Sequence, residues 1–106
     1  MATIKRGTTP TLRVKINVSD VGIFDRVDFL FKQGYQDGAP QVLKTYPSGD
    51  VELVNGVYVI KFSEGETRVF VPNANVLLDV RPVMANGGIP RTPIKTLQIA
   101  PTLYGR

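Results

Sequence analysis

The chain has 106 residues, thirteen lysines and arginines against nine aspartates and glutamates, a formal net charge of +4, and neither cysteine nor histidine. That length suits one domain burying roughly two thirds of its unfolded surface, and the missing residue types exclude disulfides, thiolate or imidazole metal sites, and nucleophilic catalysis built on Cys or His. Apolar runs reach only a few residues against the roughly 20 of a membrane-spanning helix, and the N-terminus lacks the apolar stretch of a signal peptide, so the chain is expected to be made in the cytoplasm without membrane insertion.

Residues 11–18 alternate without a fault: Leu12, Val14, Ile16 and Val18 point one way, Thr11, Arg13, Lys15 and Asn17 the other. A period of two marks a strand with one buried face. Ser19, Asp20 and Gly22 favour a turn after it. A second strand is predicted over 26–33, with Val27, Phe29 and Phe31 inside and Asp28, Leu30 and Lys32 outside. Residues 34–40 read as a loop, 41–45 as a short strand, and 46–50 as a turn. Strands over 51–54 and 57–63 flank Asn55-Gly56, a pair that accepts the positive φ of a type I′ hairpin turn.

Ser63 followed by Glu66 has the spacing of a capping box, which predicts one short helical turn near 63–67. Residues 75–84 alternate again, Val76, Leu78 and Val80 opposite Leu77, Asp79 and Arg81. Pro82 cannot donate to a ladder, so this strand should lie at an edge or bulge there. A reversal at 85–88 leads to a partner strand over 89–99, whose Pro90 and Pro93 should keep their donorless nitrogens away from neighbours. Residues 1–6 and 100–106 read as extended arms. About seven short strands with little helix predict an all-β single domain spanning 1–106, a sandwich in preference to a small barrel because alternation implies sheets with one wet and one dry face.

Chemistry-bearing constellations are sparse. Asp25 and Asp28 should splay apart on a strand, Glu64 and Glu66 sit in a turn, and Asp20, Asp25 and Asp28 match no calcium-loop spacing. With Ser19, Ser48 and Ser63 as the serine nucleophiles and no imidazole beside them, the chain reads as a non-enzyme without cofactor or metal. Tyr35, Tyr46, Tyr58, Tyr104 and Phe70 could supply a stacking platform, but aromatics on strands are more often core. The basic residues are scattered singly, which argues against a nucleic-acid footprint.

The segments KRGTTPTLRVKI, FDRVDFLFKQG, YVIKFSEGET and VLLDVRPVMANGG followed by TPIKTLQI resemble, in that order, small immunoglobulin-like proteins of tailed bacteriophages, and in particular the N-terminal domain of phage upper baseplate proteins. The family's (R/Q)GTTPT lead-in corresponds to residues 6–11, its V-x-F-x-Q strand to 27–33, and its T/S-x-E-E-T turn to 63–67, where Gly65 replaces an acid. The resemblance implies an immunoglobulin-like antiparallel sandwich and a non-enzymatic virion protein of the tail or baseplate, touching other tail proteins and assembling as copies around a cyclic axis. Contact residues are then expected at Lys5 and Arg6 on one arm, Leu103 and Tyr104 on the other, Pro82, Pro90 and Pro93 on a sheet edge, and Arg13, Lys15 and Arg26 as exposed cations facing acidic patches. The rival readings are a carbohydrate-binding host-attachment module, which needs exposed aromatics, and a small barrel for single-stranded nucleic acid.

Overall fold

The computed structural model describes residues 2–5, 7–15, 24–33, 40–71, 74–89 and 94–100. Eight strands and one helical turn follow one another: β1 (Ala2–Lys5), β2 (Thr11–Lys15), β3 (Phe24–Gln33), β4 (Val42–Tyr46), β5 (Val51–Val54), β6 (Val57–Lys61), α1 (Glu64–Arg68), β7 (Asn75–Met84) and β8 (Lys95–Ala100). They form a five-stranded sheet in the order β1-β8-β7-β3-β4 and a three-stranded sheet in the order β2-β6-β5. Every ladder is antiparallel except β1 with β8, which is parallel. The chain is an all-β sandwich, and its connectivity follows the immunoglobulin plan of a B-E-D layer against a G-F-C-C′ layer.

Alternation decides what lies between the layers. Val27, Phe29 and Phe31 of β3 are wholly buried, as are Val76 and Leu78 of β7, and they face Val14, Tyr58 and Ile60 of the smaller sheet. Phe29 meets Tyr58 across the gap with ring centroids 5.5 Å apart, and Phe31 meets Phe62 edge-on at 5.0 Å. Each such side chain contributes about 1.5–3 kcal/mol on leaving water, so this cluster is the main source of stability.

The hairpin at Asn55-Gly56 has the expected left-handed residues, φ 50° and 80°, joining β5 to β6 in register. The Ser63 capping box is complete: its hydroxyl accepts from the Glu66 amide, and the Glu66 carboxylate accepts from the Ser63 amide. Gly87 donates to Met84 and Met84 to Gly88, closing the predicted reversal.

Two expectations are corrected. Residues 2–5 are not a projecting arm but an edge strand of the larger sheet, held by burial of Ile4 in the core. The strand after the reversal begins at Lys95 rather than at residue 89, beyond the two prolines whose nitrogens carry no donor. The eighth strand is β1. Residue Asp25 is the extra residue of a bulge, since Phe24 and Arg26 face consecutive residues of β7. Pro82 meets its expectation in an unusual way. Strand β7 is internal to the sheet, but β8 pairs with it only over Asn75 to Leu78, so among the described residues β3 is the one strand neighbour at Pro82. Residues 16–18 of the first predicted strand lie outside the described residues.

Candidate interaction surface

The short motifs of the sequence turn out to hold one another. Phe62 donates to the Pro10 carbonyl (3.1 Å), and Thr67, fully buried, accepts at Oγ1 from the Gly7 amide (3.0 Å) and donates toward the Thr8 carbonyl (2.9 Å). The lead-in loop is therefore pinned to α1. Glu66 extends the same knot, because its carboxylate receives the ammonium of Lys44 at 2.7 Å. Lys44 points inward from β4, 3% exposed, and completes its shell with Asp50 at 3.1 Å and the face of Phe62 at 5.4 Å. Burial alone would raise the pKa of Glu66, but hydrogen bonds from Lys44 and the Ser63 amide outweigh it and hold the carboxyl below its ordinary range. At the other motif, the Gln33 side-chain amide donates to the Val71 carbonyl (2.9 Å) and accepts from its amide (2.8 Å), a side-chain imitation of a ladder rung. These groups are structural. None of the described residues has a buried side-chain polar atom without a partner.

The described members of the proposed aromatic platform do not form one. Tyr58 and Phe70 are buried, and Tyr46 packs its ring edge-on against Tyr58 at 5.2 Å. Burial and the neighbouring Tyr46 raise the pKa of the Tyr58 hydroxyl. Tyr35 and Tyr104 lie outside the described residues. Among the described residues no group of three or more His, Cys, Asp or Glu is placed to hold a metal ion, and no helix is long and apolar enough to cross a membrane.

Of the expected contact residues, Lys5, Arg13 and Lys15 stand exposed on the edge strands of one flank, Lys5 on the outer face of the larger sheet next to inward Ile4, and Arg13 and Lys15 on the outer face of the smaller sheet either side of inward Val14. The chain crosses from β1 to β2 through residues 6–10, and Lys95, at the start of β8, reaches the Lys15 carbonyl at 3.4 Å. Arg26 sits elsewhere, on the outer face of the larger sheet, paired with Asp28 at 3.3 Å. Pro82 is fully buried and offers no surface. Arg6, Pro90, Pro93, Leu103 and Tyr104 lie outside the described residues.

Charge is segregated around this flank. Strands β1, β2 and β8 carry Lys5, Arg13, Lys15 and Lys95 and not one acid. Asp28, Asp50, Glu52, Glu64 and Glu66 are engaged by Arg26, Lys44, Lys61 and Arg68, none of them on β1, β2 or β8, and none of the four flank cations has an ion pair among the described residues. Sequence reading missed Lys95, Lys44 and Thr67. No local pattern marks the first two, whereas Thr67 follows the capping box and could have been suspected as its anchor.

No protein-family model matches the chain, and no curated protein or solved structure shows significant similarity to it. The likeness to phage proteins is carried by the motifs quoted above.

Proposed function

We propose that this chain is a non-enzymatic structural or accessory protein of a phage tail or baseplate, made in the bacterial cytoplasm and acting in the virion by contact with other proteins. The observation that carries the reading is that β1, β2 and β8, which include an edge of each sheet, carry four exposed cations and no acid. Unpaired edges and one-signed charge together favour recognition of a protein partner over catalysis. Burial of Tyr58 and the half-burial of Tyr46 take these two rings away from the sugar-binding and nucleic-acid alternatives.

Mass spectrometry of tailed particles purified from a host carrying the gene tests the reading. Peptides of this chain should sediment with particles or tails, and recovery only among unassembled proteins would overturn it. The cyclic arrangement of copies is checked by light scattering across concentrations, where a strict monomer removes that part.

A further inference from the structure

The four sheet edges are not equivalent. Strand β4 carries Lys44 pointing inward, a charge that an added strand would have to bury more deeply. On β5, Lys61 donates to the Asp50 carbonyl, which fixes Asp50, Glu52 and Val54 as the residues facing β6 and leaves Val51 and Leu53 facing out; Val51 is already bridged to Ser48. Strand β1 is four residues long and held by a parallel ladder.

Strand β2 differs. Phe62 donates to Pro10, so Pro10 and Phe62 are the hydrogen-bonded pair next to Thr11 and Lys61 in an antiparallel register. Such pairs alternate. Leu12 and Val14 therefore turn their main-chain groups toward β6, while Thr11, Arg13 and Lys15 turn theirs away from it. Those same three residues have exposed side chains on the outer face. Among the described residues β6 is the one strand paired with β2. The edge thus offers hydrogen-bonding groups and cationic side chains from the same residues, fully at Thr11 and Arg13, while the Lys15 carbonyl already accepts from the Lys95 ammonium at 3.4 Å, which an added strand would displace.

We propose that the free edge of β2 takes up an extended segment of a partner protein carrying acidic residues at alternate positions, by strand addition, with successive carboxylates beside Arg13 and Lys15. In either orientation the residues lateral to Arg13 and Lys15 project from the same face, so acids two apart meet both cations. The cations repel a β2 edge from a second copy, which closes the edge to self-pairing while leaving it open to an acidic strand. A polyanion such as single-stranded nucleic acid has less to stack on, because, of the described rings, Tyr58, Phe29, Phe31, Phe62 and Phe70 are buried and Phe24 and Tyr46 are half-buried against the core. The inference deepens the tail-assembly reading by naming the chemistry of the partner.

The test uses the full chain, labelled with nitrogen-15, and a short synthetic peptide alternating Glu with Val. Addition of the peptide should shift the amide signals of Thr11, Arg13 and Lys15, and a peptide alternating Lys with Val should not. R13E/K15E should weaken binding about tenfold or more. Two further peptides, N-methylated either on the Glu residues or on the Val residues, leave the protein untouched; one should lose binding, because one alternate set of amides faces β2. Equal binding by both, or equally tight binding of oligothymidine at the same amides, would overturn strand addition. Absence of any peptide response from the folded chain overturns the edge inference alone, since presence in tails is read separately by mass spectrometry of particles.

Discussion

Replacing Thr67 by valine separates two accounts of why this residue is buried. The side chains are nearly isosteric, so core volume is kept, and an apolar account predicts equal or greater stability. In the structure the hydroxyl instead links α1 to the lead-in loop, accepting from Gly7 at 3.0 Å and donating its one proton toward Thr8 at 2.9 Å, with the Glu64 carbonyl at 3.0 Å as the competing acceptor. Valine leaves that amide and carbonyl without their partner. Unsatisfied groups cost about 1–3 kcal/mol each when buried, and both bonds here are only partly shielded, so the low end applies and the sum is about 2 kcal/mol. Thr67→Ser keeps both bonds and loses one buried methyl, about 1 kcal/mol. Urea denaturation should therefore rank the parent above serine and serine above valine, with the valine melting temperature lower by about 8 °C at roughly 4 °C per kcal/mol for a domain of this size. Hydrogen exchange at Gly7 should accelerate in the valine variant alone. A valine variant as stable as the parent, with Gly7 still protected, would refute the linkage.

Glu66→Gln should destabilise the fold at neutral pH and flatten its acid response. The folded pKa of Glu66 lies below the ordinary 4.5, so its contribution is complete above about 4.5 and is lost as pH falls through the lower folded value; urea midpoints measured from about pH 7 to 3 should converge for the two proteins at the acid end. Gly56→Ala meets no atom within 4 Å but keeps φ at +80°, which costs about 1 kcal/mol of left-handed strain. Gly65→Ala, inside α1 and equally unobstructed, should raise stability by about 0.5–1 kcal/mol. Gln33→Ala removes both bonds to Val71 and should cost about 1 kcal/mol, seen in chemical denaturation and in faster exchange of the Val71 amide.

Strand interiors were legible because a half-buried strand writes its burial into every second residue. Val27, Phe29 and Phe31 are inside as alternation requires, and Val76, Leu78 and Val80 likewise. The Asn55-Gly56 turn and the Ser63 cap were legible because each is closed by residues at most three apart. Strand β1 was not. Four residues give two periods of alternation, too few to stand out, and what makes them a strand is parallel pairing with β8 more than ninety residues later in the chain. Lys44 was hidden for the same reason. On β4 it occupies an inward position that local reading assigns to an apolar side chain, and its partners Asp50 and Glu66 come from a turn and a helix.

The flank cations show how charge scattered in sequence comes to stand on neighbouring strands. Lys5, Arg13, Lys15 and Lys95 stand on three strands, with most of the chain between the third and the fourth, and pairing of β1 with β8 and the crossing into β2 bring those strands to one side. Other groups of the phage-like segments bond within the fold: Gly7 and Thr8 to Thr67, Glu66 to Lys44, Gln33 to Val71. Groups that close a framework in this way recur wherever that framework recurs, whatever it binds. Likeness in them speaks for the sandwich, whereas a partner meets the exposed residues of the same segments, Lys5, Arg13, Lys15 and Lys95 among them. Changing Thr67 should therefore move stability while leaving the acidic-peptide response of the still-folded chain intact, and changing Arg13 with Lys15 should do the reverse.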